Sequence, residues 1–273
     1  MTEYIEKIIK CHKKKAMRNY HFYGKLCSLF YEIDKPFPNE EELKFYLSFA
    51  NKKMNILEPM CGTGRFLAGF VEKGFNIDGF DISKEMLKIC RTKIKKLFSD
   101  GNNLIHCCSF NRFPLNKKYD YIFIPSGSFS LVINREDIIE NINILDGLCR
   151  QNGKIVIELL INQDIEKTNI SNDYSESKAV KLDNIKIELF QKIIEINRKE
   201  NIEYSMFKYK LYENGKYKRM EEEKFNIKYY KPNEFEKYLE GTSLKIENTY
   251  INHEKEKYVN QNTEVIIYEI IKK

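Results

Sequence analysis

No stretch of this sequence stays apolar and uncharged over the roughly 18 to 20 residues that a membrane-spanning helix needs. The opening Met1-Thr2-Glu3-Tyr4-Ile5-Glu6 also lacks a basic-then-apolar signal pattern, so a soluble, cytoplasmic protein is expected. The seven cysteines, at 11, 27, 61, 90, 107, 108 and 149, form no CxxC pair and no regular ladder. They read as reduced thiols, mostly in the core. The four histidines, at 12, 21, 106 and 253, are scattered, so no His/Cys cluster has metal-ligand spacing and zinc is not expected. Charge of one sign is also scarce: 46 basic against 40 acidic residues leaves +6, less than nucleic-acid binding usually needs. The densest basic run, Lys13-Lys14-Lys15 with Arg18, lies among Ile8, Ile9, Met17 and Phe22 and reads as the solvated face of a helix.

What is present is enough for a full core: 273 residues, 42% apolar and 13% aromatic, suit one large domain or one domain with an insertion. Residues 1–52 read as a helical cap, Thr2 to about Tyr31 with a break near Gly24, then Glu40 to Ala50. Short apolar runs then alternate with helical ones: strands at 54–57, 76–80, 104–107, 119–124 and 154–160, helices at 64–73, 83–97 and 135–150. Such alternation predicts a parallel sheet with helices on both faces. After residue 162 it stops, and β-branched and aromatic segments near 178–198, 201–213 and 216–230 predict an antiparallel insertion, with a hairpin at Asn214-Gly215. A helix over Pro232 to Leu239 and strands at 244–250 and 264–271 complete the α/β unit, so the expected units are 1–52, 53–161 with 231–273, and 162–230.

The sharpest local signal is Ile56-Leu57-Glu58-Pro59-Met60-Cys61-Gly62-Thr63-Gly64-Arg65-Phe66-Leu67, a strand running into a glycine turn and then a helix. Gly62 and Gly64 allow close backbone approach to a ligand, and Glu58 can accept from an amino-bearing group. A nicotinamide dinucleotide fold would want a third glycine where this chain has Leu67, and an acid beside the loop would repel a pyrophosphate. The turn therefore suits a ligand without phosphates. Asp81, at the end of the next strand, can accept both hydroxyls of a ribose, while Ser83 caps the following helix and Met86 projects back from its first turn.

With these residues the chain resembles a class I S-adenosylmethionine-dependent methyltransferase of small-molecule type. The resemblance implies a Rossmann-like, mostly parallel seven-stranded sheet with helices on both faces. It also implies S-adenosyl-L-methionine as cofactor, S-adenosyl-L-homocysteine as product, and a cofactor cradle of Glu58, Met60, Cys61, Gly62, Gly64, Arg65, Asp81, Ile82 and Met86. Tyr23-Gly24-Lys25-Leu26 through Tyr31 resembles the tyrosine-rich segment that such enzymes fold over the cofactor, which adds Tyr23 and Tyr31. Tyr119 to Phe129 resembles the fourth strand and its following loop, which makes Pro125 a cofactor neighbour and Ser126, Gly127, Ser128 and Phe129 walls of the substrate pocket. Lys228 to Phe235, including the pocket candidate Tyr230, resembles the segment leading to the last helix. One departure stands out: where the family usually has an acid for the adenine amine, this chain has Cys107-Cys108-Ser109-Phe110, leaving Ser109 and Phe110 to do that work.

Methyl transfer from a sulfonium needs alignment and exclusion of water more than fixed catalytic groups. The expected activity is transfer of a methyl group to oxygen or nitrogen of a small molecule, with Glu158 as the one candidate base. The insertion is expected to govern substrate choice more than cofactor binding. The alternatives are an RNA or protein methyltransferase and a non-catalytic cofactor-binding module. Against the first, Pro125-Ser126-Gly127-Ser128 lacks the Asn-Pro-Pro-aromatic pattern of exocyclic-amine methylation. The expected partner is a small-molecule acceptor, with neither membrane nor nucleic acid, and the chain acting as monomer or homodimer.

Overall fold

The computed structural model describes residues 23–97, 105–162, 164–171 and 173–273. The basic run at 13–15 with Arg18 and the helix expected over 2–22 lie outside the described residues.

Helix α1 (Lys25–Asp34) begins where the sequence predicts a break, with Gly24 as its N-cap, and buries Leu26, Leu29 and Phe30. Helix α2 (Glu40–Leu47) starts at a capping box in which Asn39 and Glu42 satisfy each other's amides at 2.8 and 2.9 Å. The alternating region then gives β1 (Ile56–Pro59), α3 (Arg65–Glu72), β2 (Ile77–Asp81), α4 (Lys84–Leu97), β3 (Ile105–Cys107), β4 (Tyr119–Ile124), α5 (Arg135–Leu148) and β5 (Cys149–Leu160). After the insertion come β10 (Leu244–Tyr250) and β11 (Val265–Lys272), which close a seven-stranded sheet in the order β10-β11-β5-β4-β1-β2-β3. Only β11 runs against its neighbours.

The two-residue period of the strands sends alternate side chains to opposite cores. Ile56, Tyr121 and Phe123 face α2 and α3, where Phe70 stacks on Phe123 at 4.9 Å. Leu57, Ile122 and Ile124 face α5, together with Phe129 and Phe235. Strand order reverses between β1 and β4, because β1 pairs with β2 on one side and β4 on the other, and the crevice beyond their C-terminal ends is where open α/β sheets bind ligands.

The insertion is a separate four-stranded antiparallel meander, β6 (Ser175–Leu182), β7 (Ile185–Asn197), β8 (Ile202–Glu213) and β9 (Lys216–Lys228). Asn214 and Gly215 both have positive φ, 53° and 72°, the geometry of the expected hairpin. The segment expected as one run near 178–198 is two strands, because Asp183, at φ 52°, turns the chain. One face of this sheet packs Val180, Ile187, Leu189 and Tyr209 on Leu26, Leu29 and Phe30 of α1, which in turn covers Met86 and Ile89 of α4. The helix expected over 232–239 is a short 3-10 turn, Phe235–Leu239. Asn233 at φ 62° delays its start and Gly241 at φ 82° follows its end.

Candidate active site

The turn after β1 is built by backbone conformations that its glycines permit. Gly62 and Gly64 lie at φ 53° and 74°, and a Cβ on Gly64 would stand 2.6 Å from the Cys90 sulfur, whereas at Gly62 the nearest neighbour would be Met86 Sδ at 4.0 Å. Gly64 thus lets α3 sit tightly on α4, and Gly62 leaves room above the turn. Cys61 is buried beside Cys90, and Met60 is half-buried at φ 56°.

Glu58 is 2% exposed, and its Oε2 is buried with no hydrogen-bond partner. Burial pushes its carboxyl well above the usual carboxylate range; nearby Cys90 adds to this, while the Leu67 amide and Arg65 pull the other way. A buried acceptor without a donor is costly, and a cationic amine above Gly62 would supply one. Asp81 accepts from the Gly62 amide at 2.9 Å and the Ser83 amide at 2.8 Å, which fixes both oxygens at the rim of the same turn. Its pKa is raised by burial against the pull of these amides. Ser83 caps α4 through the Met86 amide at 3.1 Å, and Ile82 beside it is 66% exposed, an apolar surface at the mouth of the crevice.

Tyr23 sits over this rim, its carbonyl accepting from Ser83 Oγ at 3.0 Å and its ring edge-on to Tyr31 and to Phe225 of the insertion, both at 6.2 Å. On the far side, Ser109 Oγ donates to Asn111 at 2.7 Å and keeps lone pairs free, while the Phe110 ring turns inward against Phe80. Phe110 can contribute its backbone to a ligand, but its ring is core.

The loop after β4 carries two successive left-handed residues, Ser126 at φ 56° and Gly127 at φ 66°. A Cβ on Gly127 would meet Leu160 at 2.6 Å. Ser126 is exposed and accepts from Arg65 at 3.0 Å; the same guanidinium holds the Phe37 carbonyl and the Glu42 carboxylate, tying the N-terminal segment to this loop. Pro125 and Phe129 are buried, and Ser128 Oγ donates to the Pro125 carbonyl at 2.9 Å. Tyr230 is 1% exposed, bridged to Ile161 and packed on Phe235, so it and Phe129 support the loop from behind instead of lining an open wall.

Glu158 lies at the same sheet edge on the α2 face. Its Oε2 accepts from Tyr46 Oη at 2.9 Å and from His253 Nε2 at 3.2 Å. Tyr46 is fully buried, whereas the His253 side chain is 23% exposed and packs edge-on against Phe45. Neither Tyr46 nor His253 was a sequence candidate: one reads as an apolar helix position, the other as a lone histidine, and only the fold joins them.

Sheet order, the single antiparallel strand, the glycine turn and the acid ending β2 together define the fold of class I S-adenosylmethionine-dependent methyltransferases. The resemblance seen in the sequence is borne out, since residues 56–153 match the family described as "Methyltransferase domain". Over 83 residues the chain is 35% identical to "Type II methyltransferase M.VspI" of Vibrio sp. (strain 343), covering 29% of this chain and 20% of that protein. It spans 20% to 65% of the length of the curated relatives it matches. Its fold is similar to that of a S-adenosylmethionine-dependent methyltransferase from Clostridium acetobutylicum ATCC 824, with TM-score 0.74 and 16% identity over 91% of this chain and 98% of that one. The sugar N-methyltransferase KedS8 from Streptoalloteichus sp ATCC 53650 superposes with TM-score 0.67 and 13% identity, covering 94% of this chain and 95% of that one.

Proposed function

We propose that the chain transfers a methyl group from S-adenosylmethionine to an oxygen or nitrogen of a small molecule. The observation that carries this reading is the orphaned Glu58 oxygen beside Asp81 at the rim of an open glycine turn. Glu58 would hold the amine of the cofactor, Asp81 its ribose hydroxyls, and Ile82 with the Ser109–Phe110 backbone its adenine. The bound sulfonium supplies an already activated methyl group. Ser126 and Gly127 shape the approach of the acceptor, and Tyr23 with Tyr31 excludes water from the ribose side. Glu158, its Oε2 engaged by Tyr46 and His253, is the candidate proton acceptor at the sheet edge. In this reading the described part of residues 1–52 forms a cap, 53–161 with 231–273 the cofactor-binding unit, and 162–230 a lid.

Calorimetric titration with S-adenosylhomocysteine tests the assignment. Asp81→Ala removes a charged acceptor from two hydroxyls, a loss of about 1.5 to 3 kcal/mol. Equal affinities for wild type and variant would refute the site. Methyl release in single turnover with a panel of small hydroxyl and amine compounds separates an enzyme from a non-catalytic binder.

A further inference from the structure

A second cavity lies at the same sheet edge but on the α5 side. Three segments line it: the start of α5 with Arg135, the turn between β7 and β8 with Lys199 and Asn201, and the stretch after β9 with Lys231, Lys237 and Tyr238. Among the described residues, none of these four cations has a carboxylate within ion-pair distance; Arg135 lies 5.9 Å from the centre of the Tyr238 ring. Two acids also border the space. Glu234 is neutralised by the buried Lys228 at 2.8 Å, and Glu200 is exposed. The cavity therefore carries an excess of uncompensated positive charge.

Asn201 points to a ligand independently of this charge. It is 4% exposed, it lines the cavity, and its Oδ1 is buried with no hydrogen-bond donor. A buried amide oxygen of this kind calls for a ligand hydroxyl. The cations call for an anion, and four of them exceed what one carboxylate would balance, whereas a phosphate ester carries about −1.5 to −2 at neutral pH. Tyr238 adds an aromatic ring to the lining.

We propose that this cavity binds the phosphate of a phosphorylated, hydroxyl-bearing small molecule, with Arg135, Lys199, Lys231 and Lys237 around the phosphate and Asn201 accepting from a hydroxyl. The cavity belongs to the methyl-transfer edge: the loop after β4 leads from Ser126 directly to Arg135, and Tyr230, just before Lys231, bridges to Ile161 beyond β5. Its ligand is the far end of the methyl acceptor, a step that rests on the methyl-transfer reading, whereas phosphate binding itself does not.

The test is calorimetric titration of the full chain with ribose 5-phosphate, glucose 6-phosphate and unphosphorylated ribose, with S-adenosylhomocysteine titrated in parallel. At least one sugar phosphate is expected to bind saturably and ribose not at all. Lys231→Gln with Lys237→Gln is expected to weaken sugar-phosphate binding at least ten-fold. Asn201→Asp keeps a residue type that tolerates the φ of 52° at this position and sets a carboxylate against the phosphate, with a similar loss. All variants should bind S-adenosylhomocysteine within two-fold of wild type. No saturable binding of either sugar phosphate, or an affinity unchanged by Asn201→Asp, overturns the proposal. Failure of wild type to bind S-adenosylhomocysteine while sugar phosphate still binds overturns the methyl-transfer reading and leaves the phosphate site standing.

Discussion

Glu58→Gln separates what the active site needs from what the fold prefers. The side chain is 2% exposed, with one carboxylate oxygen buried and unpartnered, and burial raises its pKa well above the usual carboxylate range. In the ligand-free protein its proton is bound more tightly in the folded than in the unfolded state. Its contribution to stability is therefore full below the unfolded carboxylate pKa of about 4.3 and is lost as pH rises through the folded pKa. The amide is nearly isosteric and uncharged, so the variant should gain about 1 kcal/mol at neutral pH and lose that pH dependence. Cofactor binding should move the other way. An ionised Glu58 facing a ligand amine forms a charge-assisted hydrogen bond of about 1.5 to 3 kcal/mol, so the variant should bind S-adenosylhomocysteine roughly 10- to 150-fold more weakly. Wild-type affinity should rise with pH as Glu58 loses its proton. Urea melts from pH 5 to 9 and calorimetry over the same range read both effects. A variant that is less stable than wild type yet binds with unchanged affinity would refute the reasoning at both ends.

Lys93→Met removes one partner of a pair at 2.8 Å whose side chains are 5% and 1% exposed, stranding Glu32; a loss of about 3 to 5 kcal/mol in urea denaturation is expected. Gly127→Ala places a methyl group 2.6 Å from Leu160 at φ 66°, and about 1 to 3 kcal/mol of stability should go, with single-turnover rate falling as the loop shifts. Glu158→Gln keeps an oxygen for Tyr46 but removes the charge, so the rate should fall by about ten-fold; complete loss at every pH with intact ligand affinity would make Glu158 an essential base. Glu221→Ala with Glu223→Ala should speed hydrogen exchange at the Gly24 and Leu26 amides and cost about 1 kcal/mol for each lost cap; unchanged exchange would show that these carboxylates do not hold α1.

The parts of the site legible in the sequence are those whose chemistry is local. Glu58, Gly62, Gly64 and Asp81 lie on one strand–turn–helix and on the end of the next strand, so spacing alone brings them to one rim. The Asn214-Gly215 hairpin was readable for the same reason. Contacts between distant segments were not. Glu158 meets Tyr46 and His253 across 112 and 95 residues, and nothing in the pattern around either partner marks it. Phe129 and Tyr230 sit in the right segments but turn inward onto the α5-side core, where the Tyr230 hydroxyl is buried without a hydrogen-bond partner. The helix expected after Pro232 yields to Asn233 and Gly241, whose left-handed conformations leave room only for a 3-10 turn. The cavity beside Asn201 draws on three segments and carries no motif at all.

Helix α1 also ties the insertion to the rest of the fold. From sequence, the insertion is expected to govern substrate choice more than cofactor binding. In the structure the Gly24 and Leu26 amides at the start of α1 donate to Glu223 and Glu221 of β9, at 2.9 and 2.8 Å, which cap a helix that has no side-chain cap of its own. One residue earlier, the Tyr23 carbonyl accepts from Ser83, two residues beyond Asp81. The buried face of α1 is shared between the insertion strands and α4. The insertion therefore holds the start of α1 and, through Tyr23 and Ser83, is joined to the backbone beside Asp81.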